Sequence, residues 1–173
     1  MRIFLAIFVN DKIINKVINF QLENENLKVN WVAPENLHIT LLPPWEEKRE
    51  NIEECIKILE STRGSIEPFE LNFKGICPGG NKKNPHLIWV EGEKNSSLLN
   101  IKKILAQKFR QKFLDRNPAK PHITIARYNN NYIKLDNFWE KISWQMLALS
   151  IALIESELRQ DRAYYRVLHK IKL

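Results

Sequence analysis

Two copies of the pattern His-x-Thr occur in this chain, each inside a short apolar segment. Leu37-His38-Ile39-Thr40-Leu41 is repeated as Pro121-His122-Ile123-Thr124-Ile125, which lies 84 residues later and close to half of the chain length away. One His-x-Thr alone would carry almost no information, but this repeat uses two of only four histidines. The duplicated residues are therefore the first candidates for chemistry.

The strand period of two predicts where these side chains point. Alternate residues of a strand share a face, so His38 and Thr40 lie together while their apolar neighbours face the other way. The same holds for His122 and Thr124. If the two halves of the chain pack around a pseudo-twofold axis, the polar faces meet across a groove. Two imidazoles, each beside a hydroxyl, then flank whatever lies in that groove.

Acid–base chemistry at phosphorus suits such a pair. Attack at phosphorus runs roughly in line, so a base is needed beside the nucleophile and an acid beside the leaving group. Histidine can serve either role near neutral pH because its ordinary pKa is about 6.5. The hydroxyls of Thr40 and Thr124 can donate to the non-bridging phosphoryl oxygens. Arg127 can add a fixed positive charge. This chemistry requires no metal and no cofactor, and we expect neither.

A structural role is the alternative for each of these residues. A histidine on a half-buried strand is more often a hydrogen-bonding residue than a catalyst, and threonine favours strands because it is β-branched. Only the duplication favours catalysis. A metal site made from His38, His122 and a third ligand is another alternative, although no His-x-His, His-Glu-x-x-His or carboxylate cluster supports it. The unduplicated histidines, His86 and His169, are interpreted as ordinary.

The apolar pattern predicts the elements that must position the two motifs. Asn10-Asp11 is interpreted as a helix cap, Pro43-Pro44 as the end of a strand, and Cys77-Pro78-Gly79-Gly80 as a loop. Short strands with few crossovers indicate an α+β fold with mostly antiparallel sheets. Strands are predicted at residues 3–9, 30–32, 37–42, 69–73, 87–90, 122–126, 147–154 and 164–173, and helices at 13–22, 52–59, 97–113 and 135–142.

Composition argues against several classes of protein. The 173 residues are 44% hydrophobic and 27% charged, which is typical of a globular domain and not of a disordered, fibrous or membrane protein. Cys55 and Cys77 form no Cys-x-x-Cys pattern, which argues against a disulfide scaffold or a zinc ribbon. The apolar run after Arg2 is too short to span a bilayer and lacks a cleavage site. A reduced, cytoplasmic protein is the simplest interpretation.

Positive charge is concentrated in the second half of the chain. The net charge is +7. Residues 1–86 contribute −1 from 11 basic and 12 acidic side chains, and residues 87–173 contribute +8 from 16 and 8. Clustered Lys and Arg attract phosphates and release counterions, so this half suggests a polyanionic partner. A solvated surface is an equally good interpretation of the charge alone.

The paired His-Ile-Thr motifs resemble the signature of the two-histidine phosphoesterase superfamily. Within it, the chain is similar to the RNA 2′,3′-cyclic phosphodiesterases, also called 2′-5′ RNA ligases, over nearly its whole length. Further matching segments follow in the family's order: Arg2-Ile3-Phe4-Leu5-Ala6-Ile7, Trp31-Val32-Ala33-Pro34-Glu35-Asn36-Leu37-His38, Leu87-Ile88-Trp89-Val90, residues 121–127, and Glu155-Ser156-Glu157-Leu158 with Tyr165.

This resemblance implies a bilobal fold, with two antiparallel sheets facing a central cleft and helices outside. It also implies metal-independent opening of a terminal 2′,3′-cyclic phosphate on RNA to a 2′-phosphate, with 2′-5′ ligation as the reverse reaction. His38 corresponds to the proton donor to the leaving 3′ oxygen, and His122 to the proton acceptor that activates water. Thr40 and Thr124 correspond to the phosphate-contacting threonines, and Arg127 to a basic residue after the second motif.

The chain departs from the family at Leu41-Leu42-Pro43-Pro44-Trp45, where relatives carry a Lys-Phe-Leu-Gly-like stretch. This segment should lie at the rim of the cleft. Trp45 therefore has two alternative roles, as a substrate-binding residue that stacks on a base or as a cap of the core.

Other functions compete with the cyclic phosphodiesterase. They are a phosphodiesterase for another small cyclic phosphate or a 2′-5′ oligonucleotide, a non-catalytic RNA-binding module, and an interaction domain without nucleic acid. The two copies of His-x-Thr favour the enzyme, because a binding module needs neither. We expect one catalytic domain of two intertwined lobes over residues 1–173. Its partner would be an RNA or oligonucleotide with a 2′,3′-cyclic phosphate end. We expect a monomer with no membrane association and no obligate protein partner.

Overall fold

The computed structural model describes residues 1–81, 84–111, 119–129, 135, 138–158 and 163–173. These residues form two sheets in which every strand pairing is antiparallel, which confirms the predicted α+β fold. The elements are β1 (Arg2–Phe8), α1 (Asp11–Glu23), β2 (Asn30–Trp31), β3 (His38–Glu46), α2 (Ile52–Glu60), β4 (Phe69–Asn81), β5 (Asn84–Gly92), α3 (Ser96–Lys108), β6 (His122–Arg127), β7 (Glu140–Ala148), β8 (Ser150–Leu158) and β9 (Ala163–Lys172), with 3₁₀ turns at Pro34–Asn36 and Arg49–Asn51.

Each sheet carries one of the two His-x-Thr motifs. The first sheet has the strand order β3-β1-β8-β9, and the second has the order β2-β6-β5-β4-β7. The first motif lies at the start of β3, and the second lies at the start of β6. The two copies of the motif therefore belong to different sheets.

The main apolar core joins the two sheets to the helices, and a smaller cluster of Phe4, Ala6, Ala152 and Ile154 lies on the other face of the first sheet. In β1 the alternate residues Ile3, Leu5 and Ile7 are buried in the main core together with residues of α1, α2 and α3. Helix α1 follows a strand of the first sheet but packs against β7 of the second, and α3 follows β5 but packs against β3. A transmembrane helix needs about 20 apolar residues, and none of the described helices meets that requirement.

Asparagine residues cap the N-termini of two helices. The side chain of Asn10 accepts a hydrogen bond from the backbone N–H of Ile13 at 3.0 Å, which confirms the predicted cap. Asn95 caps α3 in the same way, with Leu98 as the donor at 2.8 Å. Helix α3 ends at Lys108, earlier than predicted, and Arg110 adopts a left-handed backbone with φ of 52°. Residue 113, the predicted end, lies outside the described residues.

Two proline-containing segments are strands, and the predictions that they interrupt strands are wrong. Strand β3 continues through Pro43-Pro44 to Glu46 because β3 is an edge strand, where a missing N–H need not break a ladder. Cys77-Pro78-Gly79-Gly80 belongs to β4 and pairs with β5. Beyond Ile76, β4 pairs with no residue on its β7 side within the described part of the chain, so a proline there is compatible with the strand.

The predicted helix at residues 135–142 is also wrong in its described part. Glu140 to Ile142 form the start of β7, whose exposed and buried residues alternate with a period of two, while residues 136–137 lie outside the described residues.

The single strand predicted at residues 147–154 is two strands. Strand β7 ends at Ala148 in the second sheet, and β8 begins at Ser150 in the first sheet. The chain therefore crosses between the sheets at Leu149.

Candidate active site

A cavity of about 890 Å³ lies between the two sheets. His38 and Thr40 of β3 line it from the first sheet, and Thr124 and Arg127 of β6 line it from the second. Four of the six predicted site residues therefore share one cavity. The other lining residues are Arg2, Phe4, Val29, Asn30, Trp31, Val32, Ala33, Asn36, Pro44, Ser156, Ala163 and Tyr165.

His38 is held by its neighbours in one tautomer and one orientation. Its Nδ1 lies 2.6 Å from the carbonyl oxygen of Asn36. Because a carbonyl can only accept, Nδ1 carries the hydrogen, and Nε2 is the nitrogen that can exchange a proton. The imidazole packs between two aromatic rings, with centroids 5.2 Å from Phe4 and 5.4 Å from Tyr165.

The surroundings of His38 favour its neutral form. Burial lowers the pKa of His38 below its ordinary value of 6.5, and the positive charges of His122 and Arg127 lower it further. The hydrogen bond to the Asn36 carbonyl acts in the opposite direction but is outweighed. In the unliganded protein at pH 7, His38 is therefore mostly neutral, with a lone pair on Nε2.

The second motif lies across the cavity on β6. Thr124 lines the cavity, whereas His122 is not among the described residues that line it. The half-buried imidazole of His122 stacks on Trp89 of β5, and its charge reaches His38, as the lowered pKa of His38 indicates. The hydroxyls of Thr40 and Thr124 form no hydrogen bond to another described residue, so both can donate to a ligand.

Trp45 does not lie in the cavity. Its ring packs against Phe109 at the end of α3, with centroids 5.7 Å apart, and its Nε1 donates to Glu47 at 3.3 Å. Trp45 also contacts the main core. A register shift in the β1–β3 pairing separates Thr40 from Trp45. This placement favours the core-capping alternative over stacking on a base.

Several cavity residues are not among the site residues predicted from the sequence. Arg2 and Phe4 alternate along β1 on the cavity side, so the period of two could have suggested Arg2. Tyr165 contacts His38 from β9, and only the tertiary fold brings them together. Burial raises the pKa of Tyr165, while the charges of Arg127 and Arg2 lower it. The phenol therefore lies within the electrostatic reach of both guanidinium groups.

No site for a metal ion made of three or more His, Cys, Asp or Glu side chains occurs within the described part of the chain. His86 and His169, the two histidines outside the motifs, lie elsewhere. His86 is exposed on β5, and its Nδ1 lies 3.3 Å from the Asn84 carbonyl. The Nε2 of His169 lies 2.6 Å from a carboxylate oxygen of Glu60.

Comparison with known proteins agrees with this arrangement. A family model described as the 2′-5′ RNA ligase superfamily matches residues 21–160. A curated relative from Archaeoglobus fulgidus, named RNA 2′,3′-cyclic phosphodiesterase, is 33% identical over 132 residues, which are 73% of this chain and 72% of the relative. A relative of the same name from Methanocaldococcus jannaschii is 29% identical over 97% of this chain and 98% of its own.

The fold matches solved structures over its whole length. The crystal structure of TT0787 of Thermus thermophilus superposes with a TM-score of 0.84 and 23% sequence identity, over 100% of this chain and 98% of that one. The architecture is therefore shared, and the family predicted from the paired motifs is confirmed. Since the family model covers most of the chain, this protein belongs to the 2′-5′ RNA ligase superfamily.

Proposed function

We propose that this protein hydrolyses 2′,3′-cyclic phosphate ends of RNA to 2′-phosphates, without a metal, using His38 and His122 as an acid–base pair. The observation that carries the proposal is that residues of both His-x-Thr motifs, from two different sheets, line one cavity. The curated relatives named RNA 2′,3′-cyclic phosphodiesterase support the reaction class. Two imidazoles supply both proton transfers, so the step needs no metal-bound water.

The proposed step balances with one water and two imidazoles. Neutral His122 accepts a proton from the water as the water oxygen bonds to phosphorus. The bond from phosphorus to the 3′ oxygen breaks, and that oxygen takes the proton from Nε2 of His38. The products are a 3′ hydroxyl and a 2′-phosphate, and solvent then restores the proton on His38 and removes the one on His122. In the reverse direction a 5′ hydroxyl takes the place of water, which is 2′-5′ ligation.

The remaining site residues stabilise the charge that gathers on the phosphoryl oxygens. Thr40 and Thr124 would each donate a hydrogen bond to a non-bridging oxygen, and Arg127 would supply a permanent positive charge. We also propose that residues 1–173 are one catalytic domain of two intertwined lobes, because α1 and α3 each pack against the sheet that they do not follow.

The direct test uses purified protein, excess EDTA and a short RNA that ends in a 2′,3′-cyclic phosphate. We expect conversion to the 2′-phosphate alone, because only the 3′ oxygen leaves. A 3′-phosphate product, or activity that EDTA removes, would contradict the proposal. If RNA binds in a salt-dependent way without turnover, the protein is a binding module instead.

The pH dependence should reveal the lowered pKa of His38. As the general acid, His38 must be protonated, so kcat/KM should fall as the pH rises through its pKa in the free protein, below 6.5. The bound phosphate stabilises the imidazolium, so the alkaline limb of kcat should lie at higher pH than that of kcat/KM. Because the two imidazoles are coupled, the limbs report apparent pKa values of the pair. Identical alkaline limbs, or a flat profile between pH 5 and 9, would contradict this assignment.

A further inference from the structure

The indole ring of Trp89 lies against the imidazole of His122. The ring centroids are 4.2 Å apart, and the planes are 27° from parallel. Trp89 lies opposite Thr124 in the β5–β6 pairing, and His122 precedes Thr124 by two residues, so all three side chains share one face of the second sheet. Trp89 is therefore the aromatic neighbour of the proposed proton acceptor.

The indole is held from its other side by Gly79. A Cβ at Gly79 would overlap atoms of the Trp89 ring. Gly79 is not among the glycines with positive φ, which are Gly64 and Gly80, so the close approach of the ring and not the backbone conformation requires glycine. The buried Nε1 of Trp89 has no hydrogen-bond partner among the described residues. Packing against Gly79 and stacking on His122 are thus two contacts that constrain the ring.

We propose that Trp89 is a positioning residue for His122, which holds the imidazole for proton transfer and stabilises the imidazolium that forms. This inference rests on the proposed function, in which His122 accepts the proton. The face of an indole attracts a cation within about 6 Å of its centroid. Because His122 becomes cationic as water attacks, the attraction is stronger in the transition state than in the ground state. Such an interaction raises kcat and leaves KM nearly unchanged.

Charged groups near His122 also influence its protonation, so they must stay unchanged when Trp89 is replaced. Glu91 lies opposite His122 on β5 and forms an ion pair with Lys120 at 2.6 Å. His38 and His122 interact through their charges when both are protonated, and Arg127 acts on His38 from the cavity. Cys77 lies opposite Trp89 on β4, and burial raises its pKa to about 11, so it stays neutral where histidine titrates. Substitution of Trp89 alone leaves all of these groups in place.

The test compares Trp89→Phe with Trp89→Leu. Phenylalanine keeps an aromatic face, whereas leucine fills similar space without one. We expect kcat to fall about threefold in Trp89→Phe and about tenfold in Trp89→Leu, with KM within twofold of wild type. The NMR titration midpoint of His122 should fall in the same order, by about half a pH unit in Trp89→Leu.

Gly79→Ala and Gly75→Ala form a matched pair of controls in β4. A Cβ at Gly75 would overlap the ring of Trp139, just as a Cβ at Gly79 would overlap Trp89. Trp139 does not line the cavity within the described part of the chain. Both variants should lower the melting temperature, but only Gly79→Ala should lower kcat and move the His122 midpoint.

The outcomes separate this inference from the proposed function. Wild-type values of kcat and of the His122 midpoint in Trp89→Leu would overturn the inference, as would equal loss of kcat in Gly75→Ala and Gly79→Ala. If the wild-type protein does not hydrolyse the RNA substrate, the proposed function fails, and the His122 midpoint in the Trp89 variants still decides whether the ring stabilises the imidazolium.

Discussion

Replacement of His122 by alanine is expected to lower kcat on an RNA 2′,3′-cyclic phosphate by about 10²–10⁴, and His38→Ala should do the same. A positioned acid or base contributes about this factor to a proton transfer. Because both transfers serve one displacement at phosphorus, the double variant should be little slower than either single variant. Single-turnover rates at saturating substrate measure the chemical step in all three.

His86→Ala is the matched control for these variants. His86 lies on β5 of the second sheet, is exposed and does not line the cavity within the described residues. Its replacement should leave kcat within twofold of wild type. A loss below tenfold in His38→Ala or His122→Ala, or fully multiplicative losses in the double variant, would refute the acid–base pair.

Thr40→Val and Thr124→Val are each expected to lower kcat by about 10²–10³. This is the usual effect of removing one donor to a developing oxyanion. Valine has nearly the shape of threonine, and neither hydroxyl bonds to another described residue, so thermal melting should stay at the wild-type temperature. Steady-state kinetics and melting curves on the same samples separate loss of catalysis from loss of folding.

Thr62→Val is the control for this pair. Thr62 is buried just after α2, and its hydroxyl donates to the Leu59 carbonyl at 2.6 Å. Its loss should reduce the free energy of unfolding by about 1 kcal/mol and leave kcat unchanged. If Thr40→Val and Thr124→Val retain as much activity as Thr62→Val, the two hydroxyls do not contact the reacting phosphate.

The sequence predicts those site residues whose relative positions follow from neighbours along the chain. His38 and Thr40 share a face because a strand has a period of two, and the duplicated motif identifies both halves without knowledge of the fold. The continuous apolar run that begins at Ile3 likewise predicts β1 as a strand buried on both faces. The contact of Tyr165 with His38 and the stacking of Trp89 on His122 depend on which strands become neighbours, and no local pattern contains that information.

The wrong predictions have the same cause. Proline ends a strand only where its missing N–H would have been paired. Among the described residues, Pro43 and Pro78 lie where β3 and β4 have a partner strand on one side only. The apolar residues of the segment 135–142 recur at helical spacing, as Leu135, Phe138, Trp139 and Ile142. The pairing of Glu140 and Lys141 with β4 nevertheless places the end of that segment in a strand. Of the two roles left open for Trp45, its pairing favours the cap of the core. Trp45 pairs with Ile3 of β1, which lies in the main core, whereas Thr40 pairs with Ala6, which belongs to the smaller cluster.

The order of the strands along the chain also bears on when the protein becomes active during its synthesis. Strand β1 pairs with β8, with Ile3 opposite Glu155, and β9 brings Tyr165 onto His38. Until β8 and β9 have left the ribosome, the first sheet consists of β1 and β3 alone, and the wall behind His38 is missing. The pairing of β1 with β8 joins residues about 150 positions apart in the sequence, and such long-range strand pairing is slow. We therefore expect nascent chains to be inactive towards the RNA that surrounds them until β8 and β9 have joined the first sheet.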